Sequence, residues 1–327
     1  MHRPVLLIII LVISFLLILW FRRYFYQKSS DPPSESTPSE TLKPKSSPPA
    51  PESLARSTDL DKPVARTVRP HSKVSRSQGP RANEIEETLR FMRLRHLEYI
   101  EARSSTPCVV VRHTYYLLCY VEPHEQPCWT AYILDGQKLR EGRLRRTQDF
   151  REDPQVRTQS ATLADYRRSG YDRGHLVPAG DFKWDSIGMS ETFYLSNMSP
   201  QLHEFNAGIW EAIERTVRNW AKQKGLLVVY TGPLLRPNLK KIGQNVSVPD
   251  TFYKVVYAIS GQEVQAVAFL VPHRPFPENM VARFMVSVDS VEKVTGIDFF
   301  PALPDDIEEK AESRWDKSRW RVRFTKR

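Results

Sequence analysis

The stretch Tyr171-Asp172-Arg173-Gly174-His175-Leu176-Val177-Pro178-Ala179-Gly180-Asp181 gathers a guanidinium, an imidazole and two carboxylates within a few residues. In an extended strand successive side chains alternate faces, so Arg173 and His175 point the same way. An imidazole with an ordinary pKa near 6.5 can take a proton at neutral pH, and a guanidinium beside it can hold an oxyanion. Downstream, Ser196-Asn197-Met198-Ser199-Pro200-Gln201 and Glu204-Phe205-Asn206-Ala207-Gly208-Ile209-Trp210 lead to a helix expected between Trp210 and Lys222. Counting about 100° per residue from Asn206 puts Ile209, Ile213, Val217 and Trp220 on one face and Glu214 and Arg218 on a flank with Asn206. A Glu–Arg pair at this spacing is also an ordinary surface ion pair, and Asn206 is also an ordinary helix N-cap. His113, His203 and His273 lack comparable neighbours and read as structural.

Around this segment the pattern is mixed. Asn83 with Glu86 has the form of an N-cap, and Ile85, Leu89, Met92, Leu97 and Ile100 recur at helical spacing until Pro107. Val109 to Val121 and Cys128 to Leu134 are rich in β-branched and aromatic residues and flank Glu122-Pro123-His124-Glu125-Gln126-Pro127, which reads as a hairpin. Further strands are expected at Leu226 to Tyr230 and at Thr251 to Ile259, the latter pairing with Gln265 to Val271 across Gly261. Without regular βαβ repeats, this order predicts an α+β domain over 81–327, with a central, mainly antiparallel sheet flanked by helices.

Composition supports a sizeable core: the 327 residues are 40% hydrophobic and 11% aromatic, which excludes a disordered tail. Six of the ten excess positive charges fall in residues 1–80, so the domain itself is mildly basic. Such an excess permits a phosphate-rich partner without requiring one. Three cysteines exclude a disulfide-framework module and a four-thiolate zinc site. From Val5 to Phe21 the chain is apolar and uncharged, and basic and aromatic residues follow it where a cleavage site would need small ones. Residues 1–28 are therefore expected to form an uncleaved transmembrane helix. Residues 29–80 hold ten prolines, twelve serines and no Phe, Trp or Tyr, the composition of a disordered linker.

The motifs from Tyr171 to Asp181, Ser196 to Gln201 and Glu204 to Trp210 resemble those of the DNA/RNA non-specific endonucleases of the ββα-metal (His-Me finger) fold. The late strings Ser287-Val288-Asp289-Ser290-Val291-Glu292 and Thr295-Gly296-Ile297-Asp298-Phe299-Phe300-Pro301 resemble that family's C-terminal signature. The resemblance runs over roughly 108–302. It implies that His175 is the general base, that Asn206 is the single direct protein ligand of a Mg2+ ion (Mn2+ as a substitute), and that Glu214 orders the ion's water shell. It implies further that Arg218 and Arg173 contact the scissile phosphate and that Asn197 lies in the site. The upstream family arginine falls at Arg145 or Arg146, of which Arg146 is taken, and Asp172 is expected to hold local structure. The implied activity is hydrolysis of DNA and RNA to 5′-phosphate and 3′-hydroxyl ends. The expected partners are DNA, RNA, the membrane through the N-terminal helix, and a second copy of the chain in a homodimer.

Two rivals remain at this level. One is a catalytically inactive module that binds nucleic acid or a partner at the membrane; the other is a metallohydrolase in which His175, Asp181 and Asp185 are the ligands. The apolar anchor in place of an Arg-rich presequence predicts a single-pass membrane protein; Arg22, Arg23 and Lys28 favour a cytoplasmic C-terminal side, but the harm an active nuclease would do in a nucleic-acid-filled cytoplasm sets the expectation at an extracytoplasmic catalytic domain. In a hairpin register whose partner numbers sum to 247, Cys119 faces Cys128, either as a disulfide or as two reduced core thiols, with Cys108 unpaired.

Overall fold

The computed structural model describes residues 87, 90, 96–260 and 263–322. The expected transmembrane helix (1–28), the linker (29–80) and most of the helix beginning at Asn83 lie outside the described residues. The described residues all belong to one compact unit, 74–327.

In chain order the strands are β1 (Arg103–Ser104), β2 (Val109–Arg112), β3 (Tyr116–Val121), β4 (Gln126–Asp135), β5 (Asp172–His175) and β6 (Met198–Gln201). They continue with β7 (Leu226–Pro233), β8 (Lys241–Ile242), β9 (Val246–Ser247), β10 (Thr251–Ser260), β11 (Glu263–Pro272), β12 (Met285–Val286) and β13 (Ile297–Asp298). The helices are α1 (Gly136–Glu141), α2 (Leu163–Tyr166), α3 (Ser186–Glu191), α4 (Glu211–Lys224), α5 (Val288–Thr295) and α6 (Asp305–Glu312).

Seven strands form one antiparallel sheet in the order β12-β11-β10-β7-β4-β3-β2. Its central strands are buried on both faces, which explains why β3 and β10 read as almost unbroken apolar runs. Alternate residues serve different cores. Tyr132, Val229, Val256 and Phe269 pack with Ile213, Val217 and Trp220 of α4 on one side. Tyr230, Val255 and Tyr257 pack with Val288 and Val291 of α5 and with Phe299 and Phe300 on the other. The expected α+β class and antiparallel sheet are thus observed.

Three local departures have identifiable causes. The run from Val109 to Val121 is a hairpin rather than one strand: the His113 N–H donates to the Tyr116 carbonyl at 2.9 Å, and Glu191 accepts from the Thr114 N–H and hydroxyl at 2.9 and 2.8 Å. Asn206 is not an N-cap, because the chain enters α4 through a π-helical turn, Phe205–Trp210, kinked at Gly208. The β3–β4 hairpin keeps the expected pairs Val121 with Gln126 and Tyr120 with Pro127, but a bulge between Cys119 and Tyr120 moves Cys119 opposite Trp129. Cys119 is bonded instead to Cys108 across a Cα–Cα distance of 5.4 Å, and Cys128 is free and buried. The expected facing of Cys119 and Cys128 is therefore corrected: the bulge gives β4 one residue more than β3, which no numbering sum reveals.

The strands β5 and β6 form a separate antiparallel ribbon and lead through the π-helical turn into α4, giving a ββα unit on the α4 side of the sheet. The ribbon needs Gly174: a Cβ there would lie 2.2 Å from the Gln201 side chain.

Non-reduced peptide mapping checks the register. It should recover Cys108 linked to Cys119 with Cys128 as a thiol, whereas a Cys119–Cys128 link would contradict the bulge. Closing this short loop should stabilise the fold by about 2–3 kcal/mol, so Cys108→Ser should lower the unfolding midpoint under oxidising conditions.

Candidate active site

His175 ends β5, where it is 8% exposed. Its ring stands edge-on to Phe193, with centroids 4.9 Å apart, and tilts against Phe150 at 5.7 Å. Each of these walls carries a guanidinium, Arg146 lying 5.1 Å from the Phe193 centroid and Arg173 4.1 Å from the Phe150 centroid. Nε2 of His175 is buried without a hydrogen-bond partner. Burial, then Arg146, then Arg173 disfavour the imidazolium and push the pKa down to about 3. The ordinary value near 6.5 assumed from the sequence is corrected accordingly: His175 is neutral through the whole neutral range.

Asn197 is completely buried and its amide is committed to the backbone. Its side-chain oxygen accepts from the Val177 N–H at 3.0 Å, and its nitrogen donates to the carbonyls of Val177 and Thr192 at 3.0 and 2.8 Å. Its own carbonyl accepts from the Leu176 N–H at 3.1 Å. Asn197 thus fixes the two residues after His175. The buried pair of His113 and Asp153, 3.0 Å apart, supports the same wall, since Asp153 also accepts from the Ser196 hydroxyl.

Asn206 lies in the π-helical turn, where the extra residue rotates it away from the position that simple helical counting gives. Its side-chain nitrogen donates to Asp172 Oδ2 at 3.0 Å, and the same carboxylate oxygen lies 2.9 Å from Nδ1 of His203. Asp172 therefore orients the amide and leaves its carbonyl oxygen as an acceptor, consistent with the structural part expected of Asp172. His203 joins this shell, which its isolated sequence context did not suggest.

On α4, Ile213, Val217 and Trp220 are buried as the periodicity expects, together with Ala212, Thr216 and Ala221, while Glu214 and Arg218 lie at the partly accessible edge. Arg218 is 3.0 Å from Asp181 and 3.7 Å from Glu214, and Asp181 also accepts from the Tyr132 hydroxyl at 2.7 Å. Burial pushes the Glu214 carboxyl up, opposed chiefly by Arg218 and then by Lys254. Lys254 was not identified from the sequence. It is 1% exposed on β10, donates to the Thr231 hydroxyl at 2.5 Å and lies 5.1 Å from the Trp210 ring. Burial pushes it down to about 8. Its only sequence signal is a lysine inside Thr251-Phe252-Tyr253-Lys254-Val255-Val256-Tyr257, a run otherwise fit for burial.

A cleft of about 490 Å³ gathers Arg146, Phe150, Tyr171, Asp172, Arg173 and Asn206. Arg146 acts electrostatically on both His175 and Glu214, which ties the ribbon and α4 to one site. The rival metal set does not converge: Asp181 is held by Arg218 and Tyr132, while Asp185 caps α3 through the Gly188 N–H at 2.8 Å and accepts from Tyr115 at 2.9 Å. The site offers a neutral imidazole with an open nitrogen, two cations beside it and one oriented amide carbonyl.

Residues 96–306 match the family of DNA/RNA non-specific endonucleases. Human endonuclease G, mitochondrial, is 36% identical over 202 residues, covering 58% of this chain and 68% of that protein. Zebrafish (Danio rerio) nuclease EXOG, mitochondrial, is 36% identical over 207 residues, covering 58% of this chain and 60% of that protein. A crystal structure of the EndoG/EndoGI complex superposes with a TM-score of 0.57 at 28% identity over 64% of this chain and 92% of that one. These comparisons overturn the expected single-pass membrane localisation, since the relatives are named as mitochondrial nucleases. Among the described residues no helix is long and apolar enough to cross a membrane; α4, the longest, has 14 residues and spans about 21 Å. With the family match covering well over half of its length, the chain belongs to the DNA/RNA non-specific endonuclease family and is an enzyme of the endonuclease type.

Proposed function

We propose that the chain hydrolyses phosphodiester bonds of DNA and RNA without distinguishing the sugar, with His175 as general base and Mg2+ as cofactor, leaving 5′-phosphate and 3′-hydroxyl ends. The observation that carries this reading is the buried, unpartnered Nε2 of His175 between two guanidinium groups. An unmade hydrogen bond at a buried nitrogen costs about 1–3 kcal/mol, so the site favours an incoming donor such as a water O–H.

A phosphodiester carries one negative charge and fits between Arg146 and Arg173, whose fixed forks match its oxygens. Its arrival offsets the same two charges that depress the imidazole, so the basicity of His175 rises in the complex. His175 then removes a proton from the water that attacks phosphorus, as the bond to the 3′ oxygen breaks. Arg218, anchored by Asp181, holds Glu214 beside it and keeps its remaining donors for the phosphate. Asn197 acts by holding Val177 and so the exit of β5. Recognition through charge and phosphate geometry alone does not separate deoxyribose from ribose.

The donor set fits a hard divalent cation. The Asn206 nitrogen is committed to Asp172, which leaves an oxygen ligand, and Glu214 on α4 would order the ion's water shell. When bound, Mg2+ supplies positive charge for the oxygens of the breaking phosphodiester.

Three outcomes test this. His175→Ala should lower kcat by about 10² to 10⁴-fold while the circular dichroism spectrum stays unchanged, and near wild-type plasmid cleavage by that variant would remove the assignment. EDTA should abolish cleavage and Mg2+ or Mn2+ restore it; Asn206→Ala should need more metal, and Glu214→Gln should lower kcat more than it raises KM. For pH, the sign follows from a free-enzyme base depressed to about 3: His175 stays unprotonated from pH 7 to pH 5, so any fall in kcat/KM there belongs to Glu214, whose carboxyl burial pushes up, and should be absent in Glu214→Gln. A fall with a midpoint near 6.5 that persists in Glu214→Gln would contradict it.

A further inference from the structure

His273 directly follows β11, and both of its ring nitrogens are spent on main chain. The Leu202 N–H donates to Nε2 at 2.7 Å, and Nδ1 lies 2.7 Å from the Pro249 carbonyl oxygen. An amide N–H can only donate and a carbonyl can only accept, so the ring is neutral with its proton on Nδ1. The main-chain N–H of His273 donates in turn to the Asp250 carbonyl at 2.8 Å. The residue is therefore bound twice to the segment that enters β10, at the end of the central sheet.

What it holds is the joint between the β5–β6 ribbon and the π-helical turn. The last pair of the ribbon is Asp172 with Gln201, so the N–H of the next residue, Leu202, has no partner in the ladder and takes the imidazole instead. The Leu202 carbonyl accepts from the N–H groups of Phe205 and Asn206 at 3.1 and 2.9 Å. Asn206 is thus placed from two sides, its main chain through Leu202 and its side-chain nitrogen through Asp172. The His273 ring is itself confined edge-on between Phe205 and Phe252, with centroids 5.0 and 5.1 Å away. An apolar side chain of similar size would fill this space, but it would leave the Leu202 N–H unmet and release the start of the π-helical turn.

We propose that His273 is a positioning residue for the catalytic metal: its bare Nε2 holds Leu202 and, through Leu202, the main chain of Asn206, so that the Asn206 side-chain oxygen is presented to the ion. The inference rests on the nuclease reading with Asn206 as ligand. It adds that the ligand's place is set by the central sheet and not by the ββα unit alone.

The test has one arm on the unaltered chain and one on variants. In the metal-free chain, nitrogen chemical shifts should show His273 protonated on Nδ1 and bare on Nε2 at neutral pH; the opposite tautomer would overturn the proposal, and this reading does not depend on any variant folding. His273→Leu, its fold checked by circular dichroism, should bind Mn2+ about 10-fold more weakly, followed by loss of the free-ion electron paramagnetic resonance signal. The Mg2+ concentration for half-maximal plasmid cleavage should rise by a similar factor, while kcat at saturating Mg2+ falls less. His273→Gln, whose amide oxygen can accept from Leu202, should recover most of the lost affinity. In an Asn206→Ala background His273→Leu should weaken Mn2+ binding no further, because the two act through one ligand. Unchanged Mn2+ binding in His273→Leu, equal losses in His273→Gln and His273→Leu, or full additivity with Asn206→Ala would each overturn the proposal and leave the nuclease reading in place. An unaltered chain that binds no Mn2+ and cleaves in EDTA would overturn both.

Discussion

A buried imidazole nitrogen with no partner, flanked by two guanidinium groups, is the constraint on which the rest of the site depends. Left to itself, such a nitrogen would be hydrated or would turn to a nearby donor, and an imidazolium there would repel Arg146 and Arg173. The fold prevents both. Phe193 and Phe150 wall the ring, Asn197 fixes Leu176 and Val177 behind it, and the bare Cα of Gly174 lets β5 press against Gln201. Reactivity is thus stored as an unmet interaction held by a rigid shell.

The helix side is arranged on the opposite principle, with charges that satisfy one another. Asp181 and Glu214 face Arg218, and the buried Lys254 acts on Glu214 and lies 5.1 Å from the Trp210 ring. Removing one member would strand its partner in a low-dielectric setting, which makes the network stiff. Stiffness here serves the π-helical turn, because Asn206 can present its carbonyl only if the start of α4 and Asp172 keep their places. The sheet beneath, buried on both faces, supplies that immobility.

Much of this was legible in the sequence because it follows from short periods. Arg173 and His175 share a strand face two residues apart, and Ile213, Val217 and Trp220 are buried as a helical count requires. What escaped were places where an extra residue or a turn breaks the period. The π-helical turn moves Asn206 off the N-cap, the bulge at Cys119 separates it from Cys128, and the turn at His113 to Tyr115 folds one apparent strand into two. Each of these is decided by tertiary contacts such as Glu191 on Thr114, which no local pattern contains. Lys254 escaped for another reason: Thr231 reaches it from another strand and Glu214 from α4, so only the folded chain shows that these groups meet. The depressed basicity of His175 was likewise invisible, since it requires Arg146 to arrive from a segment far upstream.

The most direct test of this account is the titration of the His175 imidazole itself, followed by nitrogen chemical shifts in the metal-free, substrate-free protein. The account predicts a neutral ring whose shifts stay flat from pH 8 down to pH 5, the protonation midpoint lying near 3 or being lost to acid unfolding. A midpoint at 6 or above would mean that the ring is solvated or paired with an acid, and would contradict the claim that burial and two arginines hold the imidazole neutral.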